Sequence, residues 1–212
     1  MQFQVLSSPH TSTAPRVNQV MLQVLLALVP AIAAITWFFG YGLLINLVIA
    51  SLTALAAEAA MMRLRQRPAL PALADLSALV TAWLFAIAIP TILPWWMVVL
   101  GTLFAIVVVK QLYGGLGYNP FNPAMAGYLL LLVSYPMEMT RRLSSNIPHE
   151  HMPDLLQSLQ LSFLQQPPLG VTWDALTGAT PLDELRTQLA MGLRVDQIQP
   201  DSFWGHLAGQ PW

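Results

Sequence analysis

Two threonines and a glycine stand directly before a predicted helix, in the segment 177–180 (Thr-Gly-Ala-Thr). Thr180 is suited to cap that helix, and Pro181 to occupy its first position. Free N–H groups at a helix start also bind phosphate, and Gly178 would let a phosphate approach the backbone. The acidic pair 183–184 in the first turn would repel a dianion. The residue types therefore leave two interpretations open, a helix cap and a phosphate-bearing ligand.

A second block combines glycines with asparagines and prolines over residues 114–123. As local structure, Gly114 and Gly115 make a tight turn, while Asn119 and Asn122 cap a helix that begins with proline. As a binding site, a helix broken near the membrane would direct its backbone dipoles toward an anion. Both interpretations remain open.

Few other side chains suggest chemistry. Glu58 is expected to reach the cytoplasmic surface or to form an ion pair there, with a role in an ion path as the alternative. Lys110 is expected to be an interfacial anchor or a lipid-phosphate contact, and Asp75 an acid at a helix start. The chain has no cysteine, and its four histidines have no metal-ligand spacing. We therefore expect no metal site and no catalytic residue within this chain.

The composition indicates a membrane protein. Of 212 residues, 56% are hydrophobic and only 9% are charged, with a mean hydropathy of +0.58. Soluble domains carry roughly 25% charged residues. Residues 17–57, 76–109 and 111–137 contain no charge at all, and a spanning helix needs about 20 apolar residues. The net charge of −1 offers no basic surface for nucleic acid.

The apolar runs predict an all-α polytopic protein with about five transmembrane helices and an extramembrane loop region that carries the candidate phosphate-ligand segment. The predicted spans are about Val20–Phe39, Leu43–Met62, Leu76–Leu93, Met97–Tyr113 and Ala124–Met139. In the second span, Ala50, Ala54 and Ala57 share one face, which favours close helix packing. A short amphipathic helix is expected at about Pro181–Ala190, closed by Gly192.

Charge asymmetry predicts the orientation. Basic residues concentrate in cytoplasmic loops, and Arg63, Arg65 and Arg67 lie in the short connector after the second span. We therefore expect a cytoplasmic N-terminal segment (1–18), a transmembrane bundle (19–140) and a periplasmic region (141–212). Arg141 and Arg142 argue mildly against this orientation.

Several motifs together resemble one family. Asp174-x-x-Thr-Gly-Ala-Thr180 is similar to the flavinylation motif of bacterial redox-membrane subunits. The blocks Lys110–Gly117 and Asn119–Met125 resemble the D subunit of the Rnf electron-transport complex. So do Ser7–His10, Asp75–Thr81 and Pro94–Gly101.

The resemblance implies a bacterial inner-membrane subunit of a translocase-type oxidoreductase, which relays electrons between ferredoxin and NAD and couples the transfer to Na⁺ or H⁺ movement. It implies FMN joined to Thr180 by a phosphoester, attached by a flavin transferase, and partner subunits that carry iron–sulfur clusters and flavins. The family continues with further spans, and the complete protein is expected to hold a second, non-covalent flavin (riboflavin). The residues expected near flavin are Thr177, Gly178, Ala179, Lys110, Gly114, Gly115, Asn119 and Asn122.

Two other functions are considered. The B subunit of the Na⁺-translocating NADH:quinone reductase shares this architecture and motif, although its longer N-terminal leader favours the Rnf subunit here. A urea- or ammonium-type solute channel would have no redox role. Bound-flavin absorbance separates the channel from both redox subunits.

Overall fold

The computed structural model describes residues 16–143, 152–167, 172–177 and 181–194. These parts are helical and contain no strand; an isolated antiparallel bridge joins Leu143 to Thr177. The all-α prediction is confirmed for the described residues. The helices are α1 (Val17–Phe39), α2 (Gly42–Leu64), α3 (Ala69–Ala74), α4 (Ser77–Ala88), α5 (Trp95–Leu103), α6 (Pro123–Ser134), α7 (Pro136–Thr140), α8 (Leu155–Leu164), α9 (Trp173–Leu176) and α10 (Pro181–Ala190). A π-helical segment, Phe104–Gln111, continues α5 without a break.

The first two predicted spans are confirmed as long apolar helices. Helices α1 and α2 have 23 residues each, enough to cross a bilayer by length and composition. Gly40 ends α1 with a φ of +75°, a conformation that glycine adopts without strain. The short turn at Gly40 and Tyr41 returns the chain as α2, antiparallel to α1.

The third and fifth predicted spans are wrong in length. Helix α4 ends at Ala88, and α6 ends at Ser134. Pro90 and Pro136 explain both early ends, because proline has no N–H to donate and disfavours helical geometry in the residue before it. Twelve helical residues extend about 18 Å, which is less than the roughly 30 Å of a bilayer core. In the described residues, two helices are long enough to cross a bilayer and four shorter ones are apolar, so the count of about five spans remains a prediction.

Helix α2 lies at the centre of the bundle. It packs against α1, α3, α4, α5, the π-helical segment and α8. Ala50 and Ala54 are fully buried and Ala57 nearly so, which confirms the predicted small-residue face. Phe85 of α4 is also fully buried in this core.

Helices α5 and α6 approach closely at two glycines. A Cβ placed on Gly127 would lie 2.7 Å from the carbonyl oxygen of Gly101. A Cβ on Gly101 would meet the ring of Phe85 and lie 3.0 Å from Leu131 Cδ1. Glycine is therefore required for this packing, as is common where membrane helices meet.

The bundle has two distinct ends. At the first, which we call the basic end, the C-terminus of α2 with its arginines meets the start of α4 and the end of the π-helical segment. At the second, which we call the loop end, Phe39 of α1 and Ile92 after α4 pack with Leu143, Leu161 and Leu176. The predicted domain boundaries at 18/19 and 140/141 remain predictions.

Candidate functional sites at the two ends of the bundle

The π-helical segment positions a lysine inside the bundle. Its i→i−5 bonding continues into the following turn, where Leu112 N–H donates to Val107 O and Gly115 N–H to Lys110 O, each at 3.0 Å. A stretch of eight π-helical residues is unusual, since π geometry occurs mostly as single turns and often at functional sites.

Lys110 forms a buried ion pair. Its Nζ lies 2.5 Å from Glu58 Oε1, and the two side chains are only 3% and 1% exposed. The same ammonium donates to Ser77 Oγ over 2.7 Å. The expectation that Glu58 reaches the membrane surface is wrong, because packed helices surround it. The expectation that it forms an ion pair is confirmed, with the pair inside the bundle; the alternative, a role in an ion path, remains a prediction.

Hydrogen bonds extend the ion pair in two directions. Toward α4, Asp75 Oδ1 accepts from Ser77 Oγ–H (2.5 Å) and Ser77 N–H (2.7 Å), which confirms Asp75 as an acid at a helix start. Toward the connector, Gln111 Nε2 donates to Glu58 Oε1 over 2.9 Å. Arg65 donates to both the side-chain and the backbone oxygen of Gln111. We call these six residues the polar cluster: Glu58, Arg65, Asp75, Ser77, Lys110 and Gln111.

The polar cluster balances its own charge. Two carboxylates and two cations, Arg65 and Lys110, share one network that joins α2, α4 and the π-helical segment. A buried charge without a partner costs several kcal/mol, so this balance is what allows the cluster to exist in an apolar bundle. One acceptor, Glu58 Oε2, is buried without a hydrogen bond.

The glycine–asparagine block follows the cluster. Gly114 and Gly115 have φ values of +113° and +99°, which confirms the predicted turn. Asn122 Oδ1 accepts from Ala124 N–H over 3.0 Å and caps α6, whereas Asn119 Nδ2 donates to Phe121 O over 2.7 Å. The structural interpretation is therefore confirmed for Asn122.

An open groove of about 560 Å³ runs between the π-helical segment and α6. Its walls are apolar, with Tyr113 and Asn122 among the few polar groups along it. Lys110 does not line this groove; its ammonium is occupied by Glu58 and Ser77. Flavin contacts from Lys110, Gly114, Gly115, Asn119 and Asn122 remain predictions.

At the loop end, a short helix ties the flavinylation-like segment to the bundle. Leu176 of α9 is buried beside Leu143, and the bridge between Leu143 and Thr177 fixes the end of α9 against the bundle. The guanidinium of Arg141 lies over the ring of Trp173, 5.0 Å from its centroid. Residues 172–177 therefore have a defined place on the membrane helices.

Of the two predicted threonines, the first lies within the described residues. Thr177 is half-buried, and its hydroxyl donates to Trp173 O over 2.8 Å, so local structure occupies it. Gly178, Ala179 and Thr180 lie outside the described residues. The helix predicted after them is confirmed as α10, and its terminal turn closes where Gly192 N–H donates to Leu189 O.

Sequence reasoning missed the hydrogen bonds of three members of the polar cluster: Arg65, Ser77 and Gln111. It also missed Asn46, whose Nδ2 donates to Pro90 O over 3.0 Å and satisfies a carbonyl freed by the end of α4. Each is a polar residue beside or within an apolar run. That placement is the available signal, because polar groups in membrane helices need partners.

The described parts form an apolar helical bundle with a charge-balanced interior cluster, which fits a membrane protein. The sequence model of the NQR2, RnfD, RnfE family matches residues 4–212. The chain belongs to this family. It is 47% identical to the D subunit of the ion-translocating oxidoreductase complex of Salmonella heidelberg strain SL476, covering all of this chain and 62% of that protein. The corresponding protein of Citrobacter koseri is 46% identical, with 63% of its length covered. The chain thus spans just over three fifths of these relatives.

Proposed function

We propose that the chain is the membrane-embedded flavin-carrying part of an ion-translocating oxidoreductase complex of the bacterial inner membrane. The relatives with matching sequences are named as the D subunit of such a complex. The observation that carries the proposal is the segment 174–180, a flavinylation-like motif in which Leu176 and Thr177 contact the loop end of the bundle. Electron transfer between ferredoxin and NAD, coupled to Na⁺ or H⁺ movement, belongs to the same proposal.

The residues present suit a flavin at the loop end. FMN would be held on Thr180 through a phosphoester, and the flavin would supply the electron-transfer chemistry. The chain's contribution is to set the place of the attachment point. Leu143 and Leu176 fix the end of α9, and so fix the backbone three residues before Thr180.

In-gel flavin fluorescence after denaturation tests the attachment. The chain is expressed in its host together with the flavin transferase, and the Thr180→Ala variant is expected to lose the fluorescent band completely. Thr172→Ala is the matched control, because Thr172 is exposed and outside the motif. A band of full intensity in Thr180→Ala refutes the assignment. Wild-type protein without bound-flavin absorbance favours the solute-channel alternative.

The proposal includes partners and orientation. Membrane subunits with iron–sulfur clusters and flavins would adjoin the loop end, and residues 1–18 would be cytoplasmic and 141–212 periplasmic. A second, non-covalent flavin of the riboflavin type is proposed for the whole protein, near Gly114, Asn119 and Asn122. A contact from Lys110 to that flavin would require its ion pair with Glu58 to open.

The B subunit of the quinone reductase stays as the second candidate, because the matching family model includes that protein. The two differ in the electron acceptor. Flavin reoxidation in native membranes by quinone, and not by the NAD-linked partner, would favour the quinone-reductase subunit.

A further inference from the structure

Two arginines at the basic end take no part in the polar cluster. Arg63 lies in the last turn of α2 and Arg67 just after it, and both side chains are exposed. Within the described part of the chain, neither guanidinium has a hydrogen bond or an ion pair. Arg65 differs, because Gln111 accepts hydrogen bonds from it at the edge of the polar cluster. The three arginines thus divide into one internal group and two free ones.

The way α2 ends brings the two free arginines together. The N–H of Arg67 donates to Met62 O at 2.9 Å. Inside this bond, the N–H of Gln66 donates to Arg63 O at 2.9 Å, and Gln66 adopts a left-handed φ of +55°. This pair of nested bonds is a Schellman motif, which folds the chain after a helix back onto its last turn. Arg67 therefore lies beside the turn that carries Arg63.

No carboxylate in the connector balances these two charges. Residues 59–74 contain no acidic residue. The acids on either side, Glu58 and Asp75, already accept hydrogen bonds inside the polar cluster. Like charges on neighbouring positions destabilise each other, and guanidinium groups bind phosphate through paired N–H donors. The two free arginines are therefore suited to an anion from outside the chain.

Exposed leucines lie beside the two free arginines. Leu64, the last residue of α2, is 78% exposed, and Leu70 of α3 is 80% exposed. The 23 residues of α2 extend about 34 Å, slightly more than the roughly 30 Å hydrocarbon core of a bilayer. The end of α2 therefore reaches the layer where lipid phosphates meet the acyl chains. A small anion in water would satisfy the arginines but would leave both leucines uncovered.

We propose that Arg63, Leu64, Arg67 and Leu70 form a binding surface for an anionic phospholipid, which we call the lipid surface. The guanidinium groups donate to the phosphate, and the leucines contact the glycerol and the upper acyl chains. A zwitterionic headgroup binds less well, because its own cation is repelled by the arginines. The bound lipid would hold the connector whose Arg65 reaches Gln111. This inference goes beyond the proposed function and needs no flavin.

Lipid titration of the purified full chain tests the proposal. Native mass spectrometry from a non-ionic detergent gives the fraction of protein that carries phosphatidylglycerol or phosphatidylcholine at each lipid concentration. An arginine near an anionic headgroup layer contributes about fivefold in affinity, which corresponds to about 1 kcal/mol. Arg63→Gln and Arg67→Gln are each expected to weaken phosphatidylglycerol binding by that factor, and the double variant by about 25-fold.

Matched variants separate the lipid surface from net charge and from misfolding. Replacing both free arginines with lysine keeps the charge and is expected to keep most of the affinity. Arg186→Gln removes one charge from an exposed position of α10 and is expected to leave lipid binding unchanged. All four substituted side chains of the lipid surface are exposed, so the helicity of each variant in detergent is expected to equal that of wild type.

Two further arms distinguish a lipid from a soluble phosphate. Leu64→Ser and Leu70→Ser are expected to weaken phosphatidylglycerol binding, because the acyl contacts are lost. Glycerol 3-phosphate, which carries the phosphate without acyl chains, is expected not to displace the lipid at equal concentration. Displacement by glycerol 3-phosphate, together with unchanged lipid binding in both serine variants, would assign the arginines to a soluble anion and overturn the proposal.

Three other results would also overturn it. One is equal affinity of the wild type for the two lipids, and another is unchanged phosphatidylglycerol binding in the double glutamine variant. The third is an equal loss in Arg186→Gln, which would show that net charge and not this surface binds the lipid. Loss of a partner subunit from the whole complex in the double variant, with lipid binding unchanged, would assign the surface to a protein. Flavin attachment enters none of these measurements, so failure of the proposed function leaves them intact.

Discussion

Replacing Glu58 with glutamine would leave the Lys110 ammonium buried without its counter-charge. The change keeps the size of the side chain and one acceptor oxygen. In wild type the ammonium has two partners, Glu58 Oε1 at 2.5 Å and Ser77 Oγ at 2.7 Å. After Glu58→Gln, both remaining acceptors are neutral, so the desolvation of the charge is no longer offset.

The expected cost follows from this burial. Breaking a fully buried ion pair by removing one partner costs about 3–5 kcal/mol, whereas a typical hydrogen bond between membrane helices contributes only about 0.6 kcal/mol. We therefore expect Glu58→Gln to lower the free energy of unfolding by about 3 kcal/mol. Lys110→Met should cost a similar amount, because Glu58 then keeps only the amide of Gln111. The double variant removes both charges, and its cost should be well below the sum of the two.

These differences are measured by unfolding the protein in mixed detergent micelles. The loss of helicity is recorded as the mole fraction of sodium dodecyl sulfate increases. Glu138→Gln is the matched control: Glu138 lies on short α7 with no ion pair among the described residues. Its change should remain within about 0.5 kcal/mol. A double-mutant coupling below about 0.5 kcal/mol would refute the argument that the ion pair holds the basic end together.

Three further outcomes follow from the packing. Gly127→Leu should destabilise the bundle by about 1–3 kcal/mol in the same micelle assay, because its Cβ would lie 2.7 Å from Gly101 O. As a control, Met125→Ala at an exposed position of the same helix should have little effect. Arg65→Met should speed amide hydrogen exchange in the turn after Gln111, because Arg65 donates hydrogen bonds to Gln111. Arg63→Met, at an exposed position, is the control and should leave this exchange unchanged. Equal exchange in both variants would contradict the contact. The chain has no cysteine, so single cysteines at positions 67 and 140 can be labelled against no background. An impermeant maleimide should reach position 140 from the periplasm and position 67 only from the cytoplasm; labelling of both from one side refutes the predicted orientation.

The sequence predicted the two long helices and the buried alanine face of α2, but not α3, α8 or α9. The long apolar runs predicted α1 and α2 at nearly their observed bounds, and the alanine face of α2 lies in the core as expected. Helix ends near proline were less predictable. Pro90 and Pro136 follow continuous apolar sequence, so hydropathy alone extended α4 and α6 past the points where the backbone leaves helical geometry.

The polar cluster was only partly predictable, for a different reason. Glu58 and Lys110 are far apart in sequence, and each could reach the surface if its helix were straight and α-helical. The π-helical segment changes the direction of Lys110 relative to an α-helix, and no sequence periodicity predicts such a segment. The pair therefore depends on tertiary packing. The candidate attachment residue at the loop end, Thr180, rests instead on a local sequence motif and needs no tertiary contact to be recognised.

The two ends of the bundle are connected by the same two helices. Helix α2 carries Glu58 near the basic end and Asn46 near the loop end, where Asn46 binds the carbonyl of Pro90 just past α4. Helix α4 begins at Ser77 in the polar cluster, and its last residue, Ala88, lines a cavity of about 320 Å³ at the loop end. Because small residues pack this helix pair closely, the two ends hold a fixed separation of about 18 Å along α4. The polar cluster thus fixes the start of the helix whose other end forms a wall of that cavity.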